Sequence, residues 1–218
     1  MGIDLMALLF TIPAMLISSA VHEYAHAYAA YKLGDDTARA EGRMTINPIA
    51  HIDPIGFLMM IFGKIGWSKP VPVNSYNFEN PVVGSAIVSI AGPLSNLLLV
   101  VVSALLLKLV IILPLPTLAL QLLASFLTVM LFINISLMLF NLLPIPPLDG
   151  SNIVEMFLPK HWRANWSSLA QYAPILLLAM ILPFSPLFAI FSSFWYNLLS
   201  TVVGLVLTLF GLPGAAAF

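Results

Sequence analysis

The sequence predicts an all-α protein that crosses a membrane repeatedly, with about five to six transmembrane helices and a short membrane-edge β or re-entrant region between the first and second spans. Three observations lead there. Of 218 residues, 61% are hydrophobic and only 8% are charged, against roughly 25% charged in soluble domains. The mean hydropathy is +1.02. The apolar residues gather into runs long enough to cross a hydrocarbon layer ~30 Å thick. A net charge of −1 leaves no basic footprint for nucleic acid. Cysteine is absent, which excludes disulfides and thiolate ligands, so any zinc must be held through nitrogen and oxygen.

Taken in order, the first run covers about residues 5–33 and stops at Gly34-Asp35-Asp36, a helix end followed by a polar loop. No basic region precedes it and no clean small-residue cleavage site follows, so it is expected to persist rather than act as a removable signal. A myristoylation pattern at Gly2 is set aside because Met6 stands where a hydroxyl is needed. Over residues 37–81 the character changes: Arg39, Glu41, Arg43, Lys64 and Lys69 enter with several prolines, and alternating pieces such as 67–73 read as short strands. Residues 55–62 are apolar but too few to span, which suits a re-entrant segment.

A second run covers about 82–109, Pro114 and Pro116 interrupt, and a third covers about 117–141, the two forming a hairpin. In the stretch from Asn141 to Gly150, Pro144, Pro146 and Pro147 exclude ordinary helix and predict extended backbone. At membrane depth such backbone survives only where protein lines a cavity. A short helix over 151–158 and an interfacial patch, Lys160-His161-Trp162-Arg163, precede a marginal run over 169–182 and a longer one over 186–212, with Pro183 and Pro186 at the turn. The chain reads as a single domain over 1–218, with its motifs within about 5–158 and two C-terminal spans within about 169–212.

Charge placement orients these spans. Lys32, Arg39, Arg43, Lys64, Lys69, Lys160 and Arg163 fall on one side and only Lys108 near the other, so the positive-inside rule puts the N-terminus outside a multi-pass cell-membrane protein.

The chemistry concentrates in His22-Glu23-Tyr24-Ala25-His26, within the first run. The spacing sets two imidazoles one helical turn apart on one face with a carboxylate beside them, an arrangement able to grip zinc and hold a base next to water. Ionisable groups in so apolar a segment are expensive to bury and mark a functional interior. Lys32 lies ten residues further on, roughly 15 Å along the axis from His22, so the site is below the surface and biased to the cytoplasmic side. A catalytic zinc takes three protein ligands, and the third must come from a distant segment: Asp149, Glu155, His51 or Asp53. Asp149 is favoured because it ends the proline-rich stretch and precedes Gly150, which permits close approach. Its alternative role is an N-cap for the helix that follows.

Three motifs in this order, His22-Glu23-x-x-His26, Ala91-Gly92-Pro93-Leu94-Ser95-Asn96 and Asn141-Leu142-Leu143-Pro144-x-Pro146-x-Leu148-Asp149-Gly150, resemble the site-2 protease family of intramembrane zinc metalloproteases, peptidase family M50. Within it the chain is similar to the small branch that lacks a PDZ or CBS module. The resemblance implies that His22, His26 and Asp149 bind one zinc ion per chain and that Glu23 is the catalytic base. It further implies a transmembrane core that hydrolyses membrane-anchored, single-span protein substrates within or near the bilayer. In a dry site, amide donors could stabilise the oxyanion or hold an extended substrate, and Asn96, Asn134 and Asn141 are the candidates. Asn134 and Asn141, seven residues apart, share a helix face. His51, fixed between Pro48 and Pro54, is a further substrate-binding candidate. Intramembrane His, Asp and Glu also serve ion pathways, so a zinc or proton transporter is the alternative. Nothing in the sequence sets an oligomeric state.

Overall fold

Apolar length is the first determinant of this architecture. The computed structural model describes residues 5–63, 66–114, 116–182 and 184–213; Gly2, Lys64 and Pro183, each invoked above, lie outside them. The helices in chain order are α1 (Leu5–Lys32), α2 (Thr37–Ala40), α3 (Pro54–Gly63), α4 (Pro81–Ile112), α5 (Thr117–Asn141), α6 (Asp149–Phe157), α7 (Lys160–Ser168), α8 (Ala173–Ile181) and α9 (Pro186–Phe210). Of these, α1, α4, α5 and α9 have 28, 32, 25 and 25 residues, each beyond the ~20 needed to cross a membrane. Their ends follow from local chemistry. Asn80 accepts the Val83 N–H and Pro81 opens α4, while Ser185 and Pro186 do the same for α9. Gly211, at φ 61°, closes α9 in the left-handed conformation that glycine tolerates best.

Small side chains line the contacts of α1. α1 presents Ala14, Ala20, Ala27 and Ala30, all buried, to its neighbours, letting backbones approach as membrane helices require. A second apolar cluster joins Val100, Ala104 and Leu107 of α4 to Leu127, Leu131 and Ile135 of α5 and Val203 and Leu207 of α9. The opposite faces are apolar and open: Leu98, Leu105 and Leu209 are 62%, 53% and 72% exposed, as lipid-facing residues should be.

Three expectations are corrected. Four helices, not five to six, are long and apolar enough to cross a membrane among the described residues. The run over 169–182 fails because a 3₁₀ turn at Leu169–Gln171 takes up its start, leaving α8 nine residues long, about 14 Å. Nor do the described residues contain a β-strand; between α2 and α4 there is only one isolated antiparallel bridge, Ile52 with Ser68. The reason is where the backbone groups go. The Val71 N–H donates to Glu23 and the Asn74 N–H to Asp35, while Arg43 takes the carbonyls of Lys69 and Pro70. Pro70 and Pro72 have no N–H to offer. The segment is extended, but side chains occupy the groups a ladder would need. We call residues 67–75 the strap. The stretch after α5 also departs from the extended form predicted for it: Leu143, Ile145 and Leu148 donate backbone N–H bonds to Phe140, Leu143 and Ile145, winding it into successive turns.

Candidate metal centre

His22 and His26 sit on the inner face of α1, 7% and 8% exposed. The i, i+4 spacing stacks them one turn apart, with their Nε2 atoms 2.9 Å from each other. Asp149 arrives from the first turn of α6, its Oδ2 3.3 Å from His22 Nε2 and its Oδ1 3.4 Å from His26 Nε2. Leu148, not Asp149, is the N-cap of α6, so the carboxylate is directed at the imidazoles instead of at the helix's own amides. The N-terminal end of the α6 dipole favours its charge.

These three groups form the one set among the described residues that could hold a metal ion, one ligand atom from each lying within 4.8 Å of the others. The donor chemistry fits a cation. His22 Nδ1 lies 2.6 Å from Asn96 Oδ1 and His26 Nδ1 2.8 Å from the Val88 carbonyl oxygen. A carbonyl oxygen only accepts, so each Nδ1 carries a proton, and in the neutral imidazole this leaves the lone pair on Nε2. Asp149 Oδ2 is buried without a hydrogen-bond donor. With both imidazoles neutral, three lone-pair donors converge on one point. Two ligand bonds of about 2.05 Å at a tetrahedral angle place ligand atoms about 3.3 Å apart, close to the separations to Asp149.

Backbone approach makes this convergence possible at two glycines. A Cβ on Gly92 of α4 would lie 2.5 Å from His22 Cε1 and 2.5 Å from both Cε1 and Nε2 of His26. One on Gly150 would lie 2.3 Å from the Leu142 carbonyl oxygen, so α6 could not seat against the turn that precedes it.

Glu23, 6% exposed, is held by the strap. Ser68 Oγ donates to its Oε1 and the Val71 N–H to its Oε2, both at 2.9 Å. It shares with His22, His26 and Asp149 a cleft of about 330 Å³, walled by Pro70, Val71 and Val73 of the strap on one side and by Ser85, Val88 and Ser89 of α4 with Asn141, Pro147 and Asn152 on the other. A carboxylate and a set of three groups that could hold a metal thus face one slot, which can admit a peptide backbone.

The other expected site residues separate. Asn96 and Asn134 are fully buried behind His22, with Asn96 Nδ2 donating to Asn134 Oδ1 at 2.8 Å. Asn141 lines the cleft, and its Nδ2 donates to the Leu137 carbonyl. His51 is buried away from the cleft, donating from Nε2 to the Thr45 carbonyl and lining a small cavity with Trp67 and Ser68. Asp53 accepts the Gly56 N–H at the start of α3, and neither it, His51 nor Glu155 joins the ligand set. Sequence reading missed Ser18, which accepts from Asn134 Nδ2, although it stands four residues before His22 on the same face. It also missed the Asn152 Nδ2 bond to Ser89 Oγ, which ties α6 to α4, and the two donors on Glu23.

Comparison with known proteins agrees with this geometry. The profile of peptidase family M50 matches residues 109–182, the stretch that carries α5 and Asp149. The proposed zinc metalloprotease YwhC of Bacillus subtilis (strain 168) is 40% identical over 178 residues, covering 78% of this chain and 79% of YwhC. The proposed zinc metalloprotease Rip2 of Mycobacterium tuberculosis (strain ATCC 25618 / H37Rv) is 29% identical over 175 residues, covering 78% of this chain and 66% of Rip2. Its counterpart in Mycolicibacterium smegmatis (strain ATCC 700084 / mc(2)155) is 28% identical over 179 residues, covering 80% of this chain and 67% of the relative. No solved structure matches the chain.

Proposed function

The chain belongs to peptidase family M50 and is a multi-pass intramembrane zinc metalloprotease, and from that premise we propose how its residues divide the work. His22, His26 and Asp149 hold one zinc ion per chain, and Glu23 is the general base. The convergence of two imidazole nitrogens and a carboxylate oxygen beside a second carboxylate that opens on the same cleft carries this reading.

When bound, zinc supplies Lewis acidity to the scissile carbonyl and lowers the pKa of water towards 7. Glu23 accepts the proton of the attacking water and passes it to the departing amine. One water is consumed, one C–N bond breaks, and no covalent enzyme intermediate forms. Ser68 and the Val71 N–H aim the carboxylate, since two donors on two oxygens fix its plane. Asn141 faces the substrate: Leu137 takes one of its two amide N–H donors, and the second suits a peptide carbonyl or the developing oxyanion.

The substrate is a single-span protein anchored in the same bilayer, whose cleaved segment lies unwound along the cleft. A peptide bond inside a helix is shielded by its own hydrogen bonds, so helix-weakening residues near the scissile bond favour cutting. The site faces the cytoplasmic half of the membrane, with the N-terminus outside. Lys32, Arg39, Arg43, Lys69, Lys160 and Arg163 lie together on this topology, opposite Lys108. In support, Lys108 Nζ donates to the carbonyl of Phe210 at the end of α9, so α4 and α9 finish at one face, as four alternating spans require.

The test is cleavage of a panel of single-span substrates in liposomes by wild type and Glu23→Gln, with zinc counted in each by metal analysis. We expect about one zinc per chain in both and cutting by wild type alone. A wild-type protein that takes up no zinc would sink the reading.

A further inference from the structure

The imidazole of His22 can serve a metal through Nε2 only if Nδ1 carries the proton, and that depends on which end of the Asn96 amide faces it. An asparagine offers an oxygen or an NH₂ of nearly the same shape, so contact alone does not decide. The decision is made further back. Asn134 Nδ2 lies 2.8 Å from the Met130 carbonyl oxygen and 2.8 Å from Ser18 Oγ. A backbone carbonyl cannot donate, so the NH₂ of Asn134 must point to Met130, and its Oδ1 must point to Asn96. Asn96 then has to present its own NH₂ to Asn134 and its Oδ1 to His22. Reversing either amide would set two donors or two acceptors against each other in a site where Asn96 and Asn134 are 0% exposed and water cannot compensate.

We infer that Asn134 is a positioning residue for metal binding: anchored on the Met130 carbonyl, it fixes the orientation of Asn96 and, through it, the protonated nitrogen of His22. This deepens the proposed function and rests on His22 being a ligand. It moves Asn96 and Asn134 from the substrate side of the site to the back of the metal set. Asn134 touches neither substrate nor metal and acts only through Asn96. His26 needs no such relay, because its Nδ1 partner is the Val88 carbonyl, whose polarity cannot change.

The experiment compares zinc retention against rising chelator concentration, by metal analysis of purified full-length protein in detergent, with the thermal midpoint recorded for each variant. Asn134→Leu keeps the branched shape, at a larger volume, and removes the polarity, leaving Asn96 free to turn its NH₂ towards His22. Zinc affinity is expected to fall by about 10- to 100-fold, the range seen when a partner behind a metal ligand is lost. Asn96→Asp in the Asn134→Leu background should restore affinity to within a few-fold of wild type, because a carboxylate has no donor end and can only accept from His22 Nδ1. A packing defect would not be rescued this way. Should leucine prevent folding, Asn134→Ala takes its place in both variants. Wild-type retention in the position-134 variant, or failure of Asn96→Asp to rescue it, overturns the inference and leaves the proposed function standing. Absence of zinc from wild type overturns both.

Discussion

Replacing Gly92 by alanine puts one methyl group where the imidazoles already are. The added Cβ would stand 2.5 Å from His22 Cε1 and from His26 Cε1 and Nε2, whereas carbon atoms settle about 3.5–4.0 Å apart. Something must therefore shift by about 1 Å. The rings cannot swing aside without breaking the Nδ1 bonds to Asn96 and Val88, so α4 must withdraw from α1 or the ligand atoms must leave their positions. A displacement of 1 Å at a reacting centre is enough for a loss of about 10²-fold, and overpacking of this kind costs about 1–3 kcal/mol. Alanine is a better helix former than glycine by about 1 kcal/mol, which offsets part of that in the thermal midpoint, so the informative readouts are zinc per chain and single-turnover cleavage in liposomes. We expect Gly92→Ala to lose at least 10²-fold in cleavage rate with weakened zinc retention, and Gly204→Ala on α9, where a Cβ meets nothing within 4 Å, to match wild type. Wild-type zinc and rate in Gly92→Ala would refute the claim that α4 is pressed against the metal ligands.

Ser68→Ala removes one of the two donors on Glu23; a hydrogen bond to a charged group contributes about 1.5–3 kcal/mol, so the cleavage rate should fall about 10- to 100-fold with zinc per chain unchanged. Asn141→Ala should slow cleavage by about 10-fold or more while leaving chelator resistance at the wild-type level, and loss of zinc instead would place Asn141 behind the metal rather than before the substrate. At Asp35, burial pushes the carboxyl up, but bonds from Thr37 Oγ1, the Asn74 N–H, Asn77 Nδ2 and the Thr37 N–H more than offset it and hold it below the ordinary 3.8. The unfolded chain then binds the extra proton first, so this contribution is complete above about pH 5 and disappears as pH falls through the depressed folded value. Hydrogen exchange at Asn74, corrected for intrinsic rates, should show protection falling only below about pH 4 in wild type, and reduced at every pH in Asp35→Asn, whose NH₂ would face the Asn74 N–H. Protection independent of both pH and substitution would contradict the assignment.

How far the sequence could be read depended on whether the relevant partner was local. The spans α1, α4, α5 and α9 were legible because apolar length is a property of one segment, and His22 and His26 because i, i+4 spacing is. That Asp149 meets the imidazoles was legible from the cost of burying its carboxylate, although the stretch before it winds into turns instead of the extended backbone its prolines suggested. The strap was not: alternation over 67–73 satisfies a strand pattern, but its N–H groups are claimed by Glu23, 48 residues from Val71, and Asp35, 39 residues from Asn74. No window of neighbours contains that information. Asn134 and Asn141 show the limit of helical periodicity. Seven residues return to nearly the same face but lie two turns, about 10 Å, apart along the axis. One is therefore level with His22 in the buried interior and the other is level with the cleft, with different partners. Ser18 was within reach of the same rule, one turn before His22, and its bond to Asn134 is the remote end of that network.

The proposed ligands come from α1 and α6, yet the residues that set their positions lie on one short piece of α4. The Val88 carbonyl accepts from His26 Nδ1, Ser89 accepts from Asn152 of α6, Gly92 gives the imidazoles room, and Asn96 Oδ1 accepts from His22 Nδ1. These four fall at 88, 89, 92 and 96, the i, i+1, i+4, i+8 spacing of a single helical face, so one stripe two turns long addresses both other helices. α6 has only nine residues and could not by itself hold a carboxylate to the accuracy a metal demands. Packed on α4 through Ser89 and held by Gly150 against the turn at Leu142, it takes its register from a helix of 32 residues whose own position is fixed by α5 and α9. Pro93 lies within the stripe and cannot donate to the Ser89 carbonyl, so α4 gives up one backbone bond at the level where it meets α6 while its flanking turns keep the helix continuous. The metal set is built on α4 although α4 supplies none of its ligands, which is why substitutions at Gly92 and Asn96 should affect zinc binding more than their distance from the reacting bond suggests.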